Sequence, residues 1–371
     1  MRWNWQLPDW PHFQFEKTRL RDAETQFLKG AGVVVGAMEH LDKDASQQLV
    51  VQMISQEMVE SSAIEGEVLD RASVQSSIAR QLGFAADRRR STPAEAGAAE
   101  LMADLYRHYA SPLTNQSLFD WHAMLMNGRR DLDVIGGYRT HAEAMQIISG
   151  PLHEPHIHFE APPSQSVPSE MTQFIGWFNR TAPHGTDPLP AIERAAIAHL
   201  WFETIHPFED GNGRIGRAIA EKALAQSLEA PTLTALAATI NTHKKAYYLE
   251  LHRASETNQI EGWMVWFSQI VLEAQSRTLQ TIRFLIEKTR LLDCLRGKLN
   301  FRQEKALLRM LAEGPDGFQG GLSAQNYRSI TGATSATATR DLAELVTLGA
   351  LNRTGENRYA RYSLLIGQHR P

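Results

Sequence analysis

The sequence predicts a mainly α-helical protein with a small β-hairpin near its middle and a further helical domain at its C-terminal end. Three observations support this prediction. Apolar residues recur near a period of 3.6 from about 21 to 130 and again from about 168 to 290. The stretch 145–163 instead alternates, turns at Ser149-Gly-Pro and ends in prolines, which is typical of a hairpin. From about 302, three short helical segments precede a second hairpin.

The composition is that of an ordinary globular protein. The chain has 371 residues, 43% of them hydrophobic and 22% charged, which suits two or three domains with a large core. A net charge of −4 argues against a chain that binds nucleic acid through its overall charge, although it leaves room for a local basic patch. The N-terminus lacks the apolar region of a signal peptide, and no apolar run reaches the roughly 18 residues of a membrane span. We therefore expect a cytoplasmic protein with no membrane partner.

The chain has one cysteine, Cys294. A single cysteine excludes an internal disulfide and a zinc site built from cysteines. We expect Cys294 to be a small buried residue.

The first 20 residues are rich in aromatic side chains, among them Trp3, Trp5 and Trp10. Tryptophan buries a large apolar area when it packs. We therefore expect an irregular arm that packs against a later helix, rather than a platform that stacks on a ligand.

The C-terminal region has the element order of a winged helix. Helical patterns at 306–311, 322–330 and 336–348 precede a predicted hairpin at 349–364. In a DNA-binding winged helix, the third helix would enter a groove and the hairpin would contact phosphates. The candidate DNA contacts are Thr337, Arg340, Arg353, Arg358 and Arg361. Such domains also bind proteins or form dimers, so the fold alone does not decide between these partners.

The loop that starts at His206 and continues through Gly211 and Gly213 lies between two apolar helical segments. Glycine allows positive φ and a close approach of the backbone to a ligand. The loop continues into a helix N-terminus, where free N–H groups and the helix dipole favour an anion. The sequence therefore predicts an anion site at this point.

The charged residues of the loop indicate that the anion is a polyphosphate. Arg214 and Arg217 are three residues apart and share a helix face, where two guanidinium groups suit several phosphates. Asp210 would oppose an anion unless Mg²⁺ lies between them. His206 titrates near neutral pH and suits a general base. These residues predict Mg²⁺-assisted transfer at phosphorus; the alternative is a glycine turn with surface charges.

This segment resembles the signature of the Fic (filamentation induced by cAMP) family, His-Pro-Phe-x-Asp/Glu-Gly-Asn-Gly/Lys-Arg-x-x-Arg, at every fixed position. The resemblance implies a helical Fic core and transfer of AMP from ATP to a Ser, Thr or Tyr hydroxyl of a protein. It implies these roles: His206 as base, Asp210 as Mg²⁺ ligand, Gly211, Asn212, Gly213 and Arg214 as the nest for the α- and β-phosphates, and Arg217 as the γ-phosphate contact.

An earlier segment, Ser61-Ser-Ala-Ile-Glu65-Gly66, resembles the inhibitory motif of the same family, Ser/Thr-x-x-x-Glu-Gly/Asn. The resemblance implies that Glu65 pairs with Arg217 and blocks the γ-phosphate site. One arginine cannot pair fully with a carboxylate and a phosphate at once, which supports this hypothesis. Read by itself, the segment is a helix C-terminus that ends at Gly66.

The predicted hairpin resembles the flap with which the family holds its target segment by strand pairing. Its histidines, His153, His156 and His158, raise the alternative of a metal site, with Glu154 and Glu160 as the nearby carboxylates. We expect solvated loop histidines instead.

Two further resemblances complete the predicted organisation. Tyr248 corresponds to a tyrosine near the adenine in related proteins, while Ser255 stands where relatives often have an asparagine. The stretch from Trp3 to Phe15 resembles a domain that often precedes a Fic core. We predict an N-terminal helical region with the inhibitory helix at 1–95, the catalytic core at 96–290 and the winged-helix domain at 300–371.

The predicted function is therefore an autoinhibited protein adenylyltransferase that uses ATP and Mg²⁺ and acts on a protein partner, with a homodimer as a candidate assembly. Two alternatives stay open. The same site removes AMP if Glu65 activates water, or the chain is a DNA-binding regulator with a vestigial nucleotide site. Phosphoryl or phosphocholine transfer is also compatible, because the loop recognises phosphates more than the transferred group.

Overall fold

The computed structural model describes residues 2–39, 41, 43–87, 89–149, 156–315, 317–318 and 320–366. The chain divides into two compact units, Met1–Arg277 and Thr278–Pro371. Each unit is described by itself.

The first unit is built almost wholly from helices, as predicted. A representative helix start is that of α4, where the Thr92 side chain accepts from the Glu95 N–H and Pro93 occupies the first turn. The helices are α1 (Arg21–Glu39), α2 (Lys43–Ile64), α3 (Arg71–Gln81), α4 (Pro93–His108), α5 (Asn115–Leu125), α6 (Val167–Arg180), α7 (Ala191–Ile205), α8 (Asn212–Leu228), α9 (Leu236–Thr242), α10 (Lys244–Ser255) and α11 (Glu261–Leu295), which continues into the second unit.

The centre of this unit is the packed pair α7 and α8. Every residue of α7 is buried except Glu203. Most of α8 is buried as well, including the charged side chains of Arg214 and Arg217. Because α2 and α4 also pack on α8, its first turn lies inside the helical assembly.

The predicted hairpin is confirmed as a pair of strands. Strand β1 (Gln146–Ser149) pairs antiparallel with β2 (His156–Glu160), and the register shifts between Ile147 and Ile148. The connecting segment, with His153 and Glu154, lies outside the described residues.

The N-terminal arm packs against later elements, which confirms the prediction for it. Trp3 is buried against Phe159 of β2, and the Trp5 indole N–H donates to the Glu160 carbonyl at 2.7 Å. Trp10 meets Trp201 of α7 edge to face. The aromatic residues of the arm therefore fix β2 and α7 from outside.

The second unit has the predicted order of three helices and a hairpin. Its core is separate and apolar, with Leu307, Tyr327 and Leu342 fully buried. The elements that follow α11 are α12 (Phe301–Leu311), α13 (Ala324–Thr331), α14 (Ser335–Thr347), β3 (Leu351–Thr354) and β4 (Arg361–Leu364). The winged-helix assignment and the three domain boundaries stay predictions.

Two details of the second unit bear on earlier expectations. Cys294 is exposed, so the prediction of a buried cysteine was wrong. Its neighbour Asp293 is exposed too, which shows that this side of α11 points outward near the helix end. Of the candidate DNA contacts, Arg340 and Arg353 are exposed, and the Arg358 side chain lies outside the described part.

Throughout the described ranges, no helix has both the length and the apolar content that a membrane crossing needs.

Candidate active site

The predicted loop connects the two central helices through unusual backbone conformations. His206 has φ +50°, a left-handed conformation that costs a residue other than glycine on the order of 1–3 kcal/mol. Gly211 has φ +84° and directly precedes the first residue of α8. The surrounding packing holds His206 in this conformation, and such strain is common where a side chain must point into a site.

The loop is braced from within by Asn212. Its side-chain oxygen accepts from the Phe208 N–H, and its side-chain amide donates to the Phe208 carbonyl, both at 2.9 Å. His122 of α5 stacks on the Phe208 ring at 4.2 Å. The Asn212 side chain, which the motif places in the phosphate nest, is engaged inside the loop, so only its backbone N–H is left for a ligand.

A second support comes from Arg139, which sequence analysis did not identify. This arginine is 1% exposed and donates to the His206 carbonyl at 2.8 Å and to the Pro162 carbonyl at 2.5 Å. The backbone N–H of Arg139 donates to the Pro207 carbonyl. Arg139 thus ties the start of the loop to the segment that follows β2.

Arg217 is buried and donates hydrogen bonds to residues at the end of α2 and just beyond it. Its Nε donates to the Ser61 hydroxyl at 2.8 Å, and its Nη2 donates to the Ser61 carbonyl at 2.8 Å and to Glu65 Oε1 at 2.7 Å. The contact expected between Glu65 and Arg217 is therefore present. The Nη1 atom of Arg217 is buried and has no partner.

The Glu65 carboxylate lies directly on the first turn of α8. A Cβ atom added at Gly213 would lie 2.1 Å from Glu65 Oε1. The space that glycine leaves open over the helix N-terminus is therefore taken by a side-chain anion, in the place where a helix N-terminus attracts phosphate.

The charged side chains of Asp210 and Arg214 form ion pairs with each other and with residues outside the loop. Arg214 is 7% exposed and pairs with Glu67 at 2.5 Å and with Asp210 at 3.4 Å. Asp210 also accepts from Arg129 at 2.6 Å. Burial opposes ionisation of Asp210, but the hydrogen bond from Arg129 and the charge of Arg214 win, so the pKa of Asp210 is lowered. Neither Glu67 nor Arg129 belongs to a motif that is visible in the sequence.

The acidic residues of this site fit a magnesium ion that is shared with phosphates. Among the described residues, no group of three or more histidines, cysteines, aspartates or glutamates is placed to hold a metal. Asp210 supplies one carboxylate whose side chain is 38% exposed. Mg²⁺ commonly binds through one carboxylate, phosphate oxygens and waters, so this donor set suits it.

A cavity of about 560 Å³ opens beside the loop. Its lining combines polar groups, among them Glu65 and His206, with apolar side chains of α7, α10 and the hairpin. Tyr248 lines it too and donates its hydroxyl to the Ile64 carbonyl at 3.2 Å. A cavity of this size can hold a nucleotide-sized ligand. Its lining includes Glu65, Ile147, Phe159, Leu200, Glu203, His206, Gly213, Tyr248 and Ser255.

Among the groups that line this cavity, His206 and Glu203 have pKa values displaced in opposite directions. Burial lowers the pKa of His206 to about 4. Burial and the nearby charge of Glu65 raise the pKa of Glu203 to about 8, while Arg217 opposes this shift. Glu203 was not singled out from the sequence, although a lone charge in the otherwise apolar end of α7 was an available signal.

The site is thus a loop between two buried helices that continues into the N-terminus of α8, where free N–H groups and the helix dipole favour an anion. The model described as "Fic/DOC family" matches residues 112–224, so this part of the chain is a Fic domain. A second model, "Domain of unknown function (DUF4172)", matches residues 3–84.

Relatives and solved structures agree with this placement. A "Uridine 5'-monophosphate transferase" from Xanthomonas campestris pv. campestris (strain 8004) is 32% identical over 117 residues, which are 31% of this chain and 21% of the relative. The "Protein adenylyltransferase fic-1" of Caenorhabditis briggsae is 34% identical over 89 residues, which are 24% of this chain and 16% of the relative. The matches thus span about a fifth of these relatives' lengths.

The fold as a whole has a counterpart among solved structures. A Fic family protein from Desulfovibrio desulfuricans G20 superimposes with a TM-score of 0.54 at 20% identity, over 97% of this chain and 99% of the other. At this level of identity, the likeness concerns the fold.

Proposed function

We propose that this protein is a nucleotidyltransferase that moves AMP from ATP onto a Ser, Thr or Tyr hydroxyl of another protein, with Mg²⁺ as cofactor. The observation that carries the proposal is the start of α8, where Arg214 and Arg217 each keep a buried guanidinium nitrogen without a partner, and where Gly213 lines the same cavity as His206. Unsatisfied buried donors are costly unless a ligand pairs with them. The printed names of the relatives, a UMP transferase and an adenylyltransferase, support nucleotidyl transfer.

In this proposal, each part of ATP binds where the residues of the site match its chemistry. The turn Gly211–Arg214 binds the α- and β-phosphates, and Arg217 binds the γ-phosphate. The apolar part of the cavity, with Tyr248, receives the adenine. Asp210 would hold Mg²⁺, and the ion would neutralise phosphate charge.

His206 acts as the general base. Its Nδ1 lies 3.3 Å from the Glu203 carbonyl, so this nitrogen carries the hydrogen and Nε2 is left to accept a proton. The target hydroxyl oxygen forms a bond to the α-phosphorus while its proton passes to Nε2. The bond from the α-phosphorus to the bridging oxygen breaks, and pyrophosphate leaves.

Glu65 inhibits this reaction by competition. It forms an ion pair with Arg217 at 2.7 Å, and its side chain lies over Gly213. A γ-phosphate cannot use the same guanidinium edge while that carboxylate is present. Binding of ATP in a productive pose therefore requires Glu65 to leave.

The decisive experiment uses ATP labelled at the α-phosphate with a host lysate. We expect Glu65→Gly to raise protein labelling at least tenfold over the parent, and His206→Ala in that background to abolish it. Glu60→Ala is the matched control, because Glu60 lies on α2 but bonds Asn241 instead of Arg217. Equal labelling by parent and Glu65→Gly would refute autoinhibition, and labelling that survives the loss of His206 would remove the assigned base.

A parallel experiment with UTP labelled at the α-phosphate tests which nucleotide the protein transfers. The relative from Xanthomonas is named a UMP transferase, so the identity of the nucleobase is the least constrained part of the proposal. We expect stronger labelling from ATP than from UTP. The reverse result would change the transferred group to UMP while leaving the roles of His206 and Arg217 intact.

A further inference from the structure

Glu203 occupies a position that the proposed reaction does not explain. It is the one residue of α7 that is not buried in the core, and its side chain, 12% exposed, turns toward the cavity. Its Oε1 atom is buried and has no hydrogen-bond partner. A Cβ atom added at Gly216 would lie 2.5 Å from this oxygen, so the carboxyl packs directly on the α8 backbone.

The same residue contacts His206 twice. Its backbone carbonyl lies 3.3 Å from His206 Nδ1, and its Oε2 lies 4.0 Å from that same nitrogen. A carboxyl group beside the ring nitrogen that does not react is a common way to orient a histidine and to adjust its basicity. The geometry thus connects Glu203 to the nitrogen opposite the one that would accept a proton.

The charges near Glu203 differ between the inhibited state and an open state. In the structure, Glu65 pairs with Arg217 and its negative charge acts on Glu203. When Glu65 leaves, that negative charge is lost and the Arg217 guanidinium faces Glu203 without its partner. Both changes favour the carboxylate form of Glu203.

We propose that Glu203 is a positioning residue for His206 that transmits the state of Arg217: its carboxyl is neutral while Glu65 occupies Arg217 and becomes a carboxylate beside His206 Nδ1 when Glu65 has left. Departure of Glu65 then has two effects. It frees Arg217, and it strengthens His206 as a base.

The protonation states in the inhibited form agree with this scheme. Burial and Glu65 raise the pKa of Glu203 to about 8, and burial lowers the pKa of His206 to about 4, which is low for a base that works near neutral pH. A carboxylate within about 4–6 Å raises the pKa of a histidine by about 1–3 units. The ionisable groups that face the pair are Glu65 after α2, Arg217 on α8, His199 on α7, Tyr247 and Tyr248 on α10, and Arg139 and Asp210 on the His206 side.

The test is a double-mutant comparison of the His206 pKa in the nucleotide-free protein. The imidazole signals are followed by NMR against pH and assigned with His206→Gln. We expect Glu203→Gln to change the His206 pKa by less than about 0.5 unit when Glu65 is present. In the Glu65→Gly background, we expect the same substitution to lower that pKa by about 1–3 units.

Two further variants keep the result interpretable. Glu203→Asp retains a carboxyl and should retain at least part of the raised His206 pKa in the Glu65→Gly background. Glu209→Gln removes a carboxylate three residues on the other side of His206, where Glu209 accepts from the Asp133 N–H, and should change nothing. If Glu203→Gln has the same effect with and without Glu65, or if Glu209→Gln matches it, the inference is wrong.

The consequence for catalysis rests on the proposed function and is measured separately. The pH dependence of kcat/KM reports the base of the free enzyme. In the Glu65→Gly background, we expect Glu203→Gln to move the acid limb of that profile to lower pH by the same amount as the NMR shift. Coupled NMR titrations without any AMP transfer would leave the role of Glu203 standing and refute the enzyme function. Transfer with an unmoved acid limb would refute the role of Glu203.

Discussion

The residues around Asp210 are already paired before any ligand binds. Asp210 accepts from Arg129 at 2.6 Å, and Arg129 also pairs with Asp131 at 2.6 Å. Each of these side chains is more than one-third exposed, so water and salt weaken both pairs. A cation at Asp210 must therefore displace only a modest interaction.

Arg129→Gln should lower the Mg²⁺ requirement of the reaction. Removing a partly exposed pair worth about 0.2–1 kcal/mol should reduce the Mg²⁺ concentration for half-maximal labelling about twofold to fivefold in the Glu65→Gly background. A Mg²⁺ titration of the labelling rate measures this, with the adjacent Arg130→Gln as control. An unchanged requirement would contradict the assignment of Asp210 as the metal ligand.

Asn212→Ala should destabilise the first unit. Phe208 is fully buried, and the substitution leaves both its N–H and its carbonyl without the Asn212 side chain. Each unpaired buried group costs about 1–3 kcal/mol. Chemical denaturation measures the loss, and Asn241→Ala, which removes a partly buried bond to Glu60, should cost less. A similar cost for both variants would show that Asn212 is not the brace of the loop.

What the sequence reveals at this scale depends on where the residues come from. The loop from His206 to Arg217 is contiguous, so its chemistry is visible as a motif. Arg139 and Arg129 reach the loop from distant segments, and only tertiary packing brings them there. The left-handed conformation of His206 is likewise imposed by that packing, since the sequence offers no glycine at this position.

At the scale of secondary-structure elements, two glutamates lie close together where α2 packs on α8. Glu57 of α2 and Glu221 of α8 line one small cavity, and Glu57 Oε2 has no partner. Glu221 accepts from the hydroxyls of Thr232 and Thr234. Burial raises the pKa of Glu221 to about 7, and burial together with Glu221 raises the pKa of Glu57 well above its usual value.

This pair makes stability depend on pH in a defined direction. Because the folded state holds its protons more tightly than the unfolded chain, the free energy of unfolding falls as pH rises from about 4.5 toward 7, and it levels off above the folded pKa. Glu221→Gln should reduce that fall by on the order of 1–3 kcal/mol. Denaturation at a series of pH values measures it. The exposed Glu229→Gln is the control, and parallel curves for Glu221→Gln and parent would contradict the prediction.

Periodicity predicted the helices and the hairpin well, because each has a local signature. Helical spacing placed Ser61 and Glu65 near one face, yet it could not reveal that this face meets Arg217, which lies 152 residues from Glu65. The pair of Glu57 and Glu221 was invisible for the same reason, since carboxylates on an amphipathic helix usually face water.

At the scale of the whole molecule, the chain consists of two compact units with separate cores. Such units commonly unfold in separate transitions. The DNA-binding and dimer hypotheses belong to the second unit and stay predictions, because an element order does not select a partner.

Leu342→Ala should test the separation of the units. Leu342 is fully buried in the core of the second unit, and its truncation should cost about 2–5 kcal/mol. We expect calorimetry to show one transition moving down while the other, and nucleotide binding in the Glu65→Gly background, stay within error. The exposed Leu308→Ala, on the same unit, is the control. A shift of both transitions would show that the units unfold together.

The open backbone at Gly213 has a consequence for any chain with a larger residue there. A methyl group at this position would overlap the docked Glu65 carboxylate, since its carbon would lie 2.1 Å from Oε1. Because the carboxylate ends a flexible side chain and the methyl group would be fixed to a helix, the carboxylate is the one that yields. A substitution on α8 would thus release the guanidinium of Arg217 as effectively as one at the end of α2, while narrowing the space that a phosphate must enter.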